Sequence, residues 1–271
     1  RALAAIATVK NAGLDVSCDL MCGLPGQTAA SWRRSLDGVL AAAPHHVSVY
    51  PLTLEEGTPL YRMACRDESL EPDEDFQAAC MDVARELLGA AGYHPYEVAS
   101  YALDGHECAH NIAYWTGRGY LGLGRSAAGM LDAEDFDRLA GLFPGVSSRG
   151  DAYRVRLVQR DDDAMAFETE YLSQREAAAE DLMLACRMTR GVGSDLLVRA
   201  ACVIPTGELA AACDRALELS LATWVPESLG VHEGPFTSAD VVAGHVRARL
   251  APTHLGWLDG NVLFELFWDL A

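Results

Sequence analysis

The stretch that decides the fold runs from Leu14 to Leu52 and reads LDVSCDLMCGLPGQTAASWRRSLDGVLAAAPHHVSVYPL. Residues 14–21 form an apolar run that predicts a buried strand, and the Gly and Pro content of GLPGQT (23–28) predicts a loop. Residues 29–43 carry apolar side chains at helical spacing, with Thr28 as the predicted N-cap. Residues 46–52 are rich in β-branched side chains and begin 32 residues after the first strand, the length of a βαβ unit. The stretch therefore predicts two parallel strands joined by a helix.

The pattern on either side of this stretch predicts an α/β protein with two parts. After Gly129 the parallel βα pattern gives way to a mixed, loop-rich sequence, and we therefore predict one domain at 1–150 and a small helical domain at 151–271. The other predicted elements are helices at 2–12, 72–91 and 175–189, a strand at 151–158 and short apolar pieces at 95–102 and 119–124.

Composition excludes several classes of protein. Half of the 271 residues are apolar and 22% are charged, so the chain can bury enough apolar area to fold. No apolar run approaches the ~20 residues of a transmembrane helix, and no signal peptide is evident, which predicts a cytoplasmic protein. A net charge of −18 argues against a nucleic-acid partner bound through a broad basic face.

Two short motifs match known functional patterns, but the residues around them favour a structural interpretation. His106-Glu107-Cys108-Ala109-His110 matches the zinc motif H-E-x-x-H, with Glu134 as a possible third ligand, but Gly105 directly before it disfavours the helix that the motif needs. Residues 117–122 match the dinucleotide fingerprint G-x-G-x-x-G, yet Tyr120 and Leu121 look like a strand rather than the start of a helix.

The eight cysteines include no C-x-x-C pair, and scattered cysteines in a chain of this size are typical of small buried side chains. Cys18 and Cys22 would lie about 13 Å apart on one strand, because a strand rises about 3.3 Å per residue. That separation is too large for one metal ion, and core packing is the favoured interpretation.

Several longer segments carry a specific resemblance. They are DLMCGLPGQT (19–28), HVSVYPLTLEEGTPLY (46–61), YEVASYA (96–102), ECAHNIAYW (107–115), YLGLG (120–124) and the tail LGWLDGNVLFELFWDL (255–270). Together they resemble the oxygen-independent coproporphyrinogen III oxidase family of radical S-adenosylmethionine (SAM) proteins. The GLPGQT loop and the H-N-x-x-Y-W motif (110–115) are most similar to the HemW-type heme chaperone branch.

The resemblance implies a fold and its ligands. The expected fold is a partial TIM-like (radical SAM) barrel of parallel βα units over 1–150, followed by the family's small helical C-terminal domain over 151–271. The implied cofactors are SAM, a 4Fe–4S cluster and heme. The implied partners are heme or coproporphyrinogen III, together with heme-acceptor proteins.

The resemblance also assigns residues. Asp19, Thr53 and Ala128 match positions that contact SAM in the family, and no catalytic residue is assigned. The alternatives are a turn or cap carboxylate for Asp19, an ordinary strand-end threonine for Thr53 and simple packing for Ala128. His110 is the candidate axial heme ligand, with Tyr114 and Trp115 as candidates for stacking on the porphyrin.

Alternatives also remain for the histidines. His110 and Asn111 would cap a turn while Tyr114 and Trp115 fill the core, if the motif is purely structural. His45 and His46 precede the second strand, and we interpret them as part of a solvated loop.

One element of the family's pattern is absent from these residues. The C-x-x-x-C-x-x-C loop that ligates the 4Fe–4S cluster does not occur, and the chain opens with Arg1 inside a helix-like run. We therefore expect the cluster-binding part to lie in an N-terminal segment outside these residues, and the chain by itself to be inactive as a radical enzyme. Two functions stay open at this point: a heme carrier, and an oxidase that converts propionate side chains to vinyl groups.

Overall fold

The computed structural model describes residues 1–160, 166–227 and 235–271. Contacts within the chain divide it into two units, Arg1–Cys108 and Ala109–Ala271. This division falls well before the predicted boundary at residue 150. The assignment of 1–150 and 151–271 to two family domains stays a prediction.

The first unit is an α/β layer whose elements follow the predicted order. The order of strands in its sheet is β1-β2-β4-β3. The elements are α1 Ala2–Asn11, β1 Ser17–Cys22, α2 Ala29–Ala42, β2 His46–Pro51, α3 Pro59–Ala64, a 3-10 helix at Glu68–Leu70, α4 Glu74–Ala90, β3 His94–Pro95 and β4 Ser100–Ala102.

The sheet of the first unit is mixed rather than parallel throughout. β1 and β2 pair in parallel, as predicted, whereas β4 runs antiparallel to both β2 and β3. Residues 95–102 turn back on themselves between β3 and β4, so the βα repeat stops after β2. In the described part of the chain the sheet does not close into a barrel, and β1 forms one of its edges.

Local capping explains where the helices of this unit begin. Thr28 accepts a hydrogen bond from the backbone N–H of Ser31 and starts α2, as predicted. Asp73 caps α4 in the same way through Phe76. The apolar sides of α2 and α4 pack against each other and against the sheet, and the indole Nε1 of Trp32 donates to the Cys80 carbonyl at 2.9 Å. One face of the sheet is therefore covered by helices.

The second unit combines helices with two small sheets. Strands β5, β6 and β7 form one antiparallel sheet and β8 and β9 form the other. β6 corresponds to the strand predicted at 151–158, whereas β7, β8 and β9 were not predicted. The elements are α5 Ala109–Trp115, β5 Ala128–Asp132, α6 Ala133–Leu139, a 3-10 helix at Ala140–Leu142, β6 Arg154–Gln159, β7 Phe167–Leu172, α7 Gln174–Cys186, α8 Ser194–Ala200, α9 Thr206–Glu218, β8 Ala222–Pro226, α10 Ser238–Val242, β9 Ala248–Pro252, α11 His254–Leu258 and α12 Gly260–Trp268.

Ion pairs connect the three-stranded sheet to α7. Arg154 on β6 is almost fully buried and binds Asp181 on α7 through two hydrogen bonds of 2.6 and 2.8 Å. The neighbouring Arg156 bridges Glu170 on β7 and Glu180 on α7. A bidentate pair fixes both the distance and the orientation of the helix over the sheet.

Among the described residues, no helix is long and apolar enough to cross a membrane.

Candidate functional site

The face of the first sheet that the helices α2 and α4 leave uncovered is polar. Residues aligned across strands lie on the same face, and the register pairs Ser17 with His46 and Asp19 with Ser48. Ser48 is in turn aligned with Ser100 on β4. We call Ser17, Asp19, His46, Ser48 and Ser100 the polar face.

Hydrogen bonds hold the polar face together around His46. Its Nδ1 lies 2.9 Å from the Ser17 hydroxyl and its Nε2 lies 2.8 Å from the Tyr96 hydroxyl. The Ser100 hydroxyl donates to the Ser48 hydroxyl at 3.3 Å. Burial lowers the pKa of His46 below its ordinary value, and the negative charge of Asp19 opposes this shift. His46 is therefore held as a neutral imidazole at pH 7.

Sequence reasoning missed His46, because it was interpreted as part of a solvated loop. That interpretation is wrong: His46 is the first residue of β2 and only 6% of its surface is exposed. The signal was the alternation of polar residues, Ser17 with Asp19 and His46 with Ser48, inside two otherwise apolar strands.

Asp19 lies in the middle of β1, so it is not the turn or cap carboxylate of the structural alternative. The strand continues for three more residues to Cys22. The carboxylate is exposed on the polar face, where it is available to accept hydrogen bonds. Thr53 is also exposed and follows β2 at its carboxyl end, as predicted.

Two glutamine side chains, those of Gln27 and Gln77, stabilise the conformation of the loop after β1. Gly23 has a φ of +75°, and a Cβ at this position would lie 2.4 Å from Cγ of Gln77. The Gly23 N–H donates to Oε1 of Gln27 at 2.8 Å, and Nε2 of Gln77 donates to the Leu52 carbonyl at 2.8 Å. Residue 23 must be glycine because its φ is positive and because a side chain would collide with Gln77. The hydrogen bonds of Gln27 and Gln77 hold the loop beside the carboxyl ends of β1 and β2.

The predicted heme residues lie in the second unit, on α5. His110 is the second residue of the helix and is exposed, and Tyr114 follows one turn later on the same side. No hydrogen bond or ion pair joins the His110 side chain to the described part of the chain. The imidazole is thus accessible to a ligand.

The Tyr114 and Trp115 rings contact each other edge to face, with centroids 5.2 Å apart and planes at 88°. Two perpendicular rings cannot both lie flat on one porphyrin, so at most one of them stacks. Arg187 lies over the Trp115 ring at 5.2 Å. Tyr114, 38% exposed, is therefore the better stacking candidate.

A cavity of about 280 Å³ in the second unit borders Trp115 at the end of α5. Its wall includes Arg190 and Arg199, whose guanidinium groups form no ion pair with any described residue, and Arg249. The Trp115 Nε1 is buried and has no hydrogen-bond partner in the described part of the chain. The same wall carries the carboxylates of Asp181, Asp195 and Glu227, the last paired with Arg249. The donors open to an anionic ligand are therefore Arg190, Arg199 and the Trp115 indole.

Ala128 is the first residue of β5, and its backbone is approached very closely by Gly122. A Cβ on Gly122 would lie 2.3 Å from the Ala128 carbonyl oxygen. The glycines of the 117–122 motif therefore serve contact between two chain segments. Tyr120 makes an isolated bridge to Met130 and no helix follows, so the dinucleotide interpretation is not supported.

The zinc motif H-E-x-x-H is not formed on a helix. Gly105 has a φ of +80° and α5 begins only at Ala109, so His106 precedes the helix that contains His110. The two histidines therefore do not occupy the i and i+4 positions of one helix.

All eight cysteines are free thiols, and burial raises the pKa of Cys22 to about 12. Cys18 and Cys22 lie on one strand, as predicted.

Comparison with known proteins gives a consistent class. Over 176 residues the chain is 36% identical to the heme chaperone HemW of Synechocystis, covering 65% of this chain and 41% of the relative. It is 37% identical over 130 residues to HemW of Mycobacterium tuberculosis, covering 48% of this chain and 33% of that one. It is 40% identical over 116 residues to the mitochondrial radical S-adenosyl methionine domain-containing protein 1 of Bos taurus, covering 43% and 26%.

The fold is that of a solved radical SAM enzyme. The coproporphyrinogen III oxidase HemN of Escherichia coli superposes with a TM-score of 0.65 at 16% identity, over 99% of this chain and 58% of that one. No family model matches the sequence. The fold and the relatives are those of heme-related proteins of the radical SAM class.

Within that class, the relatives named HemW and the HemN structural neighbour support the HemW/HemN-type family. The chain spans 41% of the Synechocystis relative and 33% of the M. tuberculosis relative, less than half of either.

Proposed function

We propose that this chain is the heme- and SAM-binding part of a heme chaperone of the HemW type. The observation that carries the proposal is His110, an exposed imidazole on α5 within the H-N-x-x-Y-W motif. A neutral imidazole is a common axial ligand of heme iron. The relatives that this chain resembles include several named heme chaperones.

The second unit has further features suited to a porphyrin. Tyr114 shares the exposed side of α5 with His110 and offers a ring for stacking. The cavity beside Trp115 contains Arg190 and Arg199, and guanidinium groups bind carboxylates such as those of porphyrin propionates. When bound, the heme would be the cargo, and an acceptor protein would receive it.

SAM fits the polar face of the first unit. Asp19 presents an exposed carboxylate, which accepts hydrogen bonds from ribose hydroxyls or an ammonium group. The loop at Gly23 and the exposed Thr53 lie at the carboxyl ends of β1 and β2, where ligands of α/β folds bind. Ala128 stays a family-implied contact, since it pairs with Val158 in the β5–β6 sheet and packs against Gly122.

A 4Fe–4S cluster does not fit the cysteines of this chain. Cys18 and Cys22 lie four residues apart along one strand, and no three of the eight thiols gather in one place. We therefore derive no radical step for these residues. The proposal concerns binding and transfer of heme.

The test is a heme titration followed by absorption spectroscopy. We expect a sharp Soret band for the unaltered protein, and a weakened or shifted band for His110→Ala because the axial ligand is lost. His254→Ala is the matched control, since His254 is also exposed and also lies at the start of a short helix in the second unit. An identical spectrum and affinity in His110→Ala would refute the heme-carrier proposal in this form.

SAM binding is tested separately by calorimetric titration of Asp19→Asn. We expect affinity to fall by about 1.5–3 kcal/mol, the range for a hydrogen bond to a charged group. Asp37→Asn is the control, since Asp37 is an exposed carboxylate on α2. Equal affinities for SAM in both variants would remove Asp19 from the site.

A further inference from the structure

Three metal-ligating side chains meet at the amino ends of β1 and β2. Asp15 precedes β1 and His45 precedes β2, and these two strands are parallel, so their starting points are neighbours. His106 follows β4, which runs antiparallel to β2 and so ends at the same edge. The convergence is a consequence of the sheet topology.

Backbone hydrogen bonds fix this arrangement. The His45 N–H donates to the Val16 carbonyl at 3.0 Å, and the Leu103 N–H donates to the His45 carbonyl at 3.1 Å. The His106 N–H donates to the Leu103 carbonyl at 2.9 Å. The loops that carry the three side chains are thus tied to one another.

The side-chain geometry is close to that of a metal centre. Nδ1 of His106 lies 3.0 Å from one oxygen of Asp15, and Nε2 of His45 lies 3.6 Å from the other. One ligand atom from each residue can be chosen so that all lie within 4.8 Å of one another. Two ligands at about 2.1 Å from a tetrahedral zinc ion are about 3.4 Å apart. The 3.0 Å pair would therefore open slightly, the 3.6 Å pair would close slightly, and any pair near the 4.8 Å limit would close by about 1.4 Å.

We propose that Asp15, His45 and His106 bind one divalent transition-metal ion of the zinc type. Two imidazole nitrogens and one carboxylate oxygen suit zinc and its neighbours rather than magnesium or calcium, which prefer oxygen ligands. Three protein ligands leave a fourth position for water. The site is separate from the proposed SAM site, because Thr53 and the Gly23 loop lie at the opposite, carboxyl ends of β1 and β2.

Metal binding requires two local changes. Nδ1 of His106 now donates to the Asp15 carboxylate at 3.0 Å, so this nitrogen must lose its proton and the imidazole must carry a proton on Nε2 instead. The Val16 N–H now donates to Nδ1 of His45 at 3.1 Å. A neutral imidazole that binds a metal through Nε2 carries its proton on Nδ1, so the Val16 N–H must release it. The backbone amide of Val16 is therefore a specific spectroscopic reporter of metal entry.

The experiment is a calorimetric titration with zinc chloride, in a background where the exposed thiols Cys65 and Cys202 are replaced by serine. We expect one zinc ion per chain and a shift of the Val16 amide resonance on binding. Asp15→Asn, His45→Gln and His106→Gln should each lower the affinity at least tenfold. Circular dichroism confirms that each variant is folded.

His94→Gln is the matched control. His94 lies 3.4 Å from Asp104 in the same unit, so it tests whether a single histidine–carboxylate pair is sufficient. Its affinity for zinc should equal that of the parent. Absence of zinc binding, or unchanged affinity in any of the three ligand variants, overturns the three-ligand site.

Discussion

At the scale of single residues, His46 has the most specific environment. One ring nitrogen is hydrogen-bonded to Ser17 of the polar face and the other to the Tyr96 hydroxyl, and the residue is almost fully buried. The surrounding strands are apolar apart from this face. Protonation of His46 therefore affects both the hydrogen bonds of the polar face and the stability of the sheet.

The lowered pKa of His46 gives stability a defined pH dependence. When the pH falls below about 6.5, the ordinary pKa of histidine, His46 becomes protonated in the unfolded chain but stays neutral in the folded chain. The free energy of unfolding should therefore fall as the pH drops below about 6.5, more steeply in the parent than in His46→Gln. Urea denaturation between pH 5 and 8 measures this slope.

The control for this measurement is His94→Gln, since the His94 side chain is 67% exposed. The control should keep the parent's slope. Equal slopes in His46→Gln and the parent would contradict the buried, neutral state of His46.

Residue-scale prediction from sequence was accurate where a local rule applied. Thr28 caps α2 as predicted, because a cap depends only on the first turn of the helix. His46 lies inside β2 and not in the solvated loop expected for it, because the position of a strand end depends on pairing with other strands. Its hydrogen-bond partners, Ser17 and Tyr96, are distant in sequence.

At the scale of elements, the contact of β6 with α7 depends on a buried charge. Arg154 forms two hydrogen bonds with Asp181, and 8% of Arg154 is exposed. Asp181→Asn removes the bidentate counter-charge and leaves the guanidinium only the Glu180 carboxylate at 3.9 Å. Removal of one partner of a buried pair costs up to about 3–5 kcal/mol. Denaturation of the variant measures this loss of stability.

The control is Asp37→Asn, which removes the partner of Arg33 on α2. That pair is more than half exposed on both sides, and an exposed pair contributes about 0–1 kcal/mol. A loss in Asp181→Asn as small as that of the control would contradict a structural role for the β6–α7 ion pair.

Elements were predictable from sequence to within a few residues, but sheet direction was not. Helices α1, α2, α4 and α7 and strands β1, β2 and β6 occur close to their predicted positions, because side-chain periodicity specifies them locally. The antiparallel strand β4 was not predicted, because a strand of three residues is too short to show an alternating pattern of apolar and polar side chains. The same local limit explains the H-E-x-x-H match, where the helix starts later than the motif requires.

At the scale of the whole molecule, the candidate ligands are distributed over two units. Asp19 and Thr53 belong to the first unit, and His110 and Ala128 belong to the second. The family and its fold class followed from sequence, because long motifs such as GLPGQT and H-N-x-x-Y-W are specific. The division near residue 108 did not follow, because it depends on contacts between residues far apart in the chain.

Chemical rescue tests most directly the proposal that His110 is the iron ligand of a heme-carrying protein. His110→Gly removes the imidazole and leaves space on an exposed helix side. We expect the variant to bind heme with an altered Soret band, and added imidazole to restore the band of the parent, because the free molecule replaces the missing ligand. A variant whose heme spectrum equals that of the parent without imidazole would contradict the claim.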